Sequence, residues 1–218
     1  GTQLFFGFGA VALILTLVGA LAYYSLVRVD RNSQAVIATF PSMMRLTTME
    51  EQLVKLMWVS NKIRAVEHTT EAKDIWKQFN PLLHKFRQNA TDLLQGGKTE
   101  WGELARLQDP QARNQLQSIL ESYNATFAPN VKAIYENTLD SLQLKLDAQR
   151  IEGDKRTELV EQRKSIEATL WEYDFETEQV GLEIGENLSQ LKETTLVRIQ
   201  NAIDSSINTS KDARQSTI

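Results

Sequence analysis

The feature that most constrains this chain is an absence at its start: no Asp, Glu, Lys or Arg occurs before Arg28. All 24 Lys and Arg and all 28 Asp and Glu of the 218 residues lie in the remainder. The uncharged stretch Leu4 to Val27 is 24 residues long and rich in Leu, Val, Ala and Phe. About 20 such residues suffice to cross a bilayer as a helix, so residues 1–27 are predicted to span a membrane. A secretory signal would have an apolar core of only about 7 to 15 residues and a small-x-small cleavage site. Here the run ends instead at Tyr23 and Tyr24, residues suited to the headgroup belt, and then Arg28. Gly7-Phe8-Gly9 imitates the start of a dinucleotide fingerprint, but no strand precedes it and it lies inside the apolar run. With no initiator Met and an open end at Ile218, the sequence reads as a fragment cut at both ends.

Residues 28–218 are predicted to form a helical domain. Long stretches free of Gly and Pro favour long helices. Leu46, Met49, Leu53, Leu56, Ser60 and Ile63 recur at alternating steps of three and four, the seam of a bundle helix. A second helix is expected after Thr69-Thr70, with Ile75, Phe79, Leu82, Phe86 and Leu93 inward, a kink at Asn80-Pro81 and a stop at Gly96-Gly97. Asp109-Pro110 is a cap followed by a first-turn proline and opens the third helix. Its seam reads Leu116, Leu120, Tyr123, Phe127, is interrupted near Pro129, and resumes as Tyr135, Leu139, Leu142, Leu146. The fourth and longest follows Gly153, carrying Ile166, Leu170, Tyr173, Val180, Ile184, Leu188, Leu191, Ile199, Ile203 and Ile207. No period-two alternation suggests a sheet.

The fold class expected is therefore all-α: one transmembrane helix, then an elongated antiparallel bundle of four long helices, with six the alternative if some break. At about 1.5 Å per residue the four segments climb roughly 60 Å, descend roughly 40 Å, climb roughly 65 Å and descend roughly 95 Å. The path closes on its starting level, so a second membrane span is expected after Ile218. Above the first helix only the third and fourth can pair unless one breaks and refolds, and Trp171 to Val180 is one place for such a break.

Composition excludes several chemistries. Zero cysteines removes thiol catalysis, thiolate metal sites and disulfides. A net charge of −4 speaks against nucleic acid as a partner. His68 and His84 are sixteen positions apart and form no metal-ligand pair. There is no Walker loop, nucleophile elbow or Cys/His dyad, so neither enzymatic activity, a cofactor nor a metal is expected. Gly181 and Gly185 are spaced to let a neighbouring helix approach, and Ser60, Thr177 and Thr195 are polar positions on the seams.

One cluster invites a ligand. Asn61, Arg64 and His68 follow at steps of three and four, with Trp58 nearby. An arginine fork binds carboxylate bidentately, amide donors orient it, and an aromatic wall excludes water. By helical rise, Lys132 and Tyr135 lie level with Arg64 and are the expected opposite walls. The ligand expected is a small molecule such as a carboxylate. The same residues also suit a solvated stripe beside the seam, with Trp58 at a subunit contact.

Thr39-Phe-Pro-Ser-Met-Met-Arg-Leu46 is similar to the bend that follows the first span in bacterial methyl-accepting chemotaxis receptors, and the polar run Asn201 to Ile218 resembles their approach to the second span. The layout as a whole resembles the N-terminal part of that family, with a four-helix or helical bimodular sensor. The resemblance implies a periplasmic sensor domain on the bacterial inner membrane, working as a homodimer. It implies a cytoplasmic signalling module further along the chain. It also implies arginines of the first sensor helix on the ligand; Arg64 matches in kind and place, and no second arginine follows one turn later. An input domain of a sensor histidine kinase or nucleotide cyclase fits the same features, and a membrane-anchored coiled-coil adaptor is the competing class.

Overall fold

The computed structural model describes residues 39–215 apart from 100, 101, 105 and 108. The predicted span at residues 1–27 lies outside that range, and no helix among the described residues is long and apolar enough to cross a membrane. The architecture is helical. Helix α1 covers residues 39–64. It is followed by α2 (Thr69–Gln95), a hairpin of β1 (Gly97–Thr99) and β2 (Gly102–Leu104), α3 (Pro110–Ser122), a π-helical segment (Tyr123–Phe127), α4 (Ala128–Gln149) and α5 (Asp154–Gln215). The chain divides into two units, and the larger, Ser42–Glu193, contains the helical bundle; the residues from Thr194 onward belong to the other.

A short hairpin lies between the second and third helices, where no alternation in the sequence suggests a sheet. It is antiparallel, pairing Gly97 with Leu104 and Thr99 with Gly102, too short for any alternation to register in sequence. Gly96 ends α2 with φ 84°, a left-handed conformation that glycine adopts without penalty, and its N–H donates to the Asp92 carbonyl at 2.7 Å. Asp109 caps α3 as its sequence predicts: one carboxylate oxygen accepts from the Gln111 N–H at 2.7 Å and the Ala112 N–H at 3.4 Å, while Pro110 occupies the first turn.

The Ser42–Glu193 unit is a four-helix bundle in which α3, the π segment and α4 act as one continuous member. All six α1 seam residues from Leu46 to Ile63 are buried. Leu46, Met49, Leu53 and Leu56 share one core with Phe86, Ala90 and Leu93 of α2, Leu116, Ile119, Tyr123 and Phe127 of the third member, and Ile184, Leu188 and Leu191 of α5. Phe86 stacks on Tyr123 with centroids 4.3 Å apart, and Tyr123 on Phe127 at 5.5 Å. The Tyr123 hydroxyl, fully buried, donates to the Leu83 carbonyl at 3.0 Å, and burial pushes its phenol pKa well above the ordinary value. Gly181 makes this core possible, since a Cβ there would stand 2.9 Å from the Met57 sulfur and 3.0 Å from a Phe127 ring carbon. Gly185 has ordinary room, so only one of the two glycines works as expected.

The defect predicted near Pro129 is a π segment just before it rather than a simple kink. The Ala128 N–H bonds back five residues to the Tyr123 carbonyl, and Pro129, lacking an N–H, sits in the first turn of the resumed helix. Beyond it the buried positions are Asn130, Val131, Ile134, Thr138, Ser141, Leu142 and Ala148, not the predicted row of Tyr135, Leu139, Leu142 and Leu146. Of that row only Leu142 is buried, and Leu146 faces solvent. Likewise α5 does not break between Trp171 and Val180. Past the end of α1, α4 and α5 continue as a two-helix arm, joined by residues 150–153 with Gly153 at φ 75°. In the smaller unit, Ile203 and Ile207 are exposed instead of continuing a buried seam.

Candidate functional site

The predicted ligand residues do not converge. Helix α1 ends at residue 64, and His68 is the backbone N-cap of α2, its carbonyl accepting from the Ala72 N–H at 3.2 Å. The spacing of Asn61, Arg64 and His68 would place them on one face only if the helix continued, so the break separates them. Asn61 and His68 are both exposed. Trp58 packs edge-on against Phe79 of α2 at 6.3 Å, with the Lys62 ammonium 4.9 Å above its ring. Tyr135 stacks flat on Trp76 of α2 at 4.5 Å, in the α2–α4 interface. Lys132 is exposed and pairs along its own helix with Glu136 at 3.4 Å. Arg64 turns the other way, into the α1–α5 interface, where its guanidinium is ion-paired with Asp174 and lies 4.9 Å from the Trp171 ring centre. Tyr135 and Lys132 therefore do not form walls opposite Arg64.

A different site contains Arg64. Where α1 stops, α4 and α5 lose a partner, and the step leaves a cleft of about 290 Å³. Its walls come from Arg64, Val66 and Glu67 at the end of α1, Thr138, Ser141, Leu142 and Lys145 on α4, and Arg163, Glu167, Leu170 and Trp171 on α5. The floor is apolar, since Leu170 packs with Val59, Ile63, Ile75 and Ile134 in a small core of its own. Trp171, 67% exposed, is the outer wall, held in place by the Arg64 guanidinium.

The polar groups of the cleft are unevenly satisfied. Arg163 pairs with Glu167 at 2.6 Å, and its Nε donates to the Ser141 hydroxyl at 3.4 Å. The Ser141 hydroxyl in turn lies 3.5 Å from the Glu167 carboxylate. Lys145 and Glu67 have no ion pair or hydrogen-bond partner among the described residues. Thr138 is 3% exposed, and its hydroxyl oxygen is buried without any partner. Buried hydroxyls are normally hydrogen-bonded, so an unsatisfied one on a residue that lines the cleft is an exception to that rule. The sequence offered a faint signal: Thr138 and Ser141 are polar residues at the spacing of the α4 seam, where the larger Leu139 and Leu146 attract the eye.

Measured against protein-family models, curated proteins and solved structures, the chain has no match.

Proposed function

We propose that this chain is the ligand-sensing input portion of a transmembrane receptor of the chemotaxis kind, binding a small molecule and passing a small helix shift across a bilayer to a cytoplasmic signalling module. On this reading residues 1–27 are the first span. The bundle works in the periplasm at the bacterial inner membrane, as a homodimer. A sensor histidine kinase or nucleotide cyclase would use the same input. No catalysis is assigned to it.

The observation that carries the reading is the cleft at the end of α1, with charged and polar groups on three helices and an unbroken α5 running from it to Gln215. A ligand that repacks Trp171 or loosens Arg64 from Asp174 acts directly on α5. A packed bundle converts such local changes into small displacements of a whole helix. The test is a thermal-shift screen of the full chain against organic acids, amino acids and amines. A saturating ligand raises the melting temperature of a sensor; a flat response across the panel removes the reading.

A membrane-anchored adaptor is the second reading, favoured by the apolar side chains that α1 and α5 leave exposed: Val54 and Trp58 on the first, Trp171, Phe175 and Leu182 on the second. An adaptor would give the flat response.

A further inference from the structure

We propose that the cleft is a binding site, complete within one protomer, for a small monocarboxylate with an apolar tail. The proposal rests on the sensing reading above and adds to it the place and the chemical class of the ligand. It relocates the anion from the Arg64, Asn61 and Tyr135 set to Thr138, Lys145 and Arg163.

The carboxylate end is dictated by what is left unpaired. The Thr138 hydroxyl is buried with no acceptor, and the Lys145 ammonium lines the same cleft with no counter-ion among the described residues. Arg163 uses Nε on Ser141 and one terminal nitrogen on Glu167, which leaves further N–H groups of its fork to donate. A carboxylate accepts from all three kinds of donor at once, so it regains inside the cleft the hydrogen bonds it gave up to water.

The pairing of the cations favours a single negative charge beside Lys145. Three cations line the cleft, but Arg64 is neutralised by Asp174 and Arg163 by Glu167. Of the three, Lys145 alone remains without a counter-ion, and a dianion would have to compete with a protein carboxylate for its second partner. An amine would be placed beside Lys145 and Arg163. The unpaired acid Glu67 is exposed, where water satisfies it.

The rest of the ligand is set by the walls. Val66, Leu142, Leu170 and the Trp171 ring give the charged end an apolar neighbour, which a short branched or aromatic tail fills. The volume of about 290 Å³ lies at the small end of ligand pockets, so few heavy atoms fit.

The experiment is calorimetric titration of the full chain in nanodiscs with 3-methylbutanoate and phenylacetate, beside succinate and 3-methylbutylamine. The two monocarboxylates bind saturably, succinate at least about tenfold more weakly and the amine not at all, the factor being that of one charge-assisted hydrogen bond or ion pair. Thr138→Val and Lys145→Gln each weaken monocarboxylate binding about tenfold by the same reckoning, while Thr138→Ser, which keeps the hydroxyl, binds as the parent does. Unchanged melting temperatures of the unliganded variants tie the loss to the site and not to folding. Equal affinity of parent, Thr138→Val and Lys145→Gln overturns the proposal, as does preference for succinate or the amine. If another compound from the screen binds and these variants leave it untouched, this site is wrong while the sensing reading stands. If nothing in the screen binds, both fall.

Discussion

The two halves of the Ser42–Glu193 bundle are built on opposite principles. Toward the hairpin, four members surround Phe86, Tyr123 and Phe127, and these three rings are fully buried. From Val59 onward the core thins to a cluster of five buried residues, then α1 ends and polar seam residues on α4 line a cleft. The first region holds the helices together; the second leaves groups unsatisfied. The difference teaches where this fold can change shape, because a close-packed core resists displacement whereas a half-filled one has room to rearrange.

The comparison breaks most readily at the hairpin end. Phe127→Ala is expected to cost about 3–5 kcal/mol, the usual range for emptying an aromatic site in a packed core. Leu170→Ala, beside the cleft, should cost less, toward about 2 kcal/mol, because part of the space it leaves is continuous with an opening already there. Equilibrium urea unfolding of both variants measures the difference. Equal losses would show that the two regions are packed alike.

Arg64→Ala comes next. The seam pattern places Arg64 off the core and suggests little cost to folding, yet its guanidinium is the partner of Asp174, whose side chain is only 14% exposed. The loss expected is about 1–2 kcal/mol, well below the cost of breaking a fully buried pair because Arg64 is itself 31% exposed to screening solvent. Arg64→Ala combined with Asp174→Ala should recover part of it, and a double-mutant cycle in urea reads the coupling.

These cases indicate how far the sequence carries. The α1 seam, the Gly96 stop, the Asp109 cap and the four-member order are legible because each is local: a repeat, a left-handed turn, or a side chain bonding its own backbone neighbours. The site is less legible. Asn61, Arg64 and His68 share a face only on an unbroken helix, and no strong stop signal marks residue 64; the loop begins there because the chain must turn into α2. The partner of Arg64 is 110 positions away at Asp174, a pairing no spacing rule reaches. On α4 the large apolar residues draw the predicted seam one position away from the buried one, past the small polar residues that line the cleft. Local rules fail where the core is incomplete.

Tyr123 sharpens the comparison through pH. Tyr123→Phe removes the hydroxyl bonded to the Leu83 carbonyl and should cost about 1 kcal/mol near neutrality, leaving a buried acceptor with one fewer donor. The sign of the pH effect follows from burial, which raises the phenol pKa in the folded state. The unfolded chain ionises first, near the ordinary tyrosine value of 10.0, so this contribution is fully present below that pH. Above it stability falls until the folded phenol also ionises. Urea midpoints measured above and below a pH of about 10 should converge between parent and Tyr123→Phe as pH rises; a gap that stays constant would remove the buried phenol as the cause.

The smallest expected effect belongs to Thr138, and there the sign is informative. In the parent the hydroxyl is buried and bonded to nothing, so the unliganded protein carries the desolvation of a polar group with no compensating bond. Valine has nearly the same shape without that group. Thr138→Val should therefore leave stability within about 0.5 kcal/mol of the parent or raise it slightly, whereas removing a satisfied buried hydroxyl, as at Tyr123, lowers it. Urea unfolding without added ligand decides between them. A clear loss, on the order of 1 kcal/mol or more, would mean that the hydroxyl is satisfied in solution and that the cleft is as complete as the aromatic core below it.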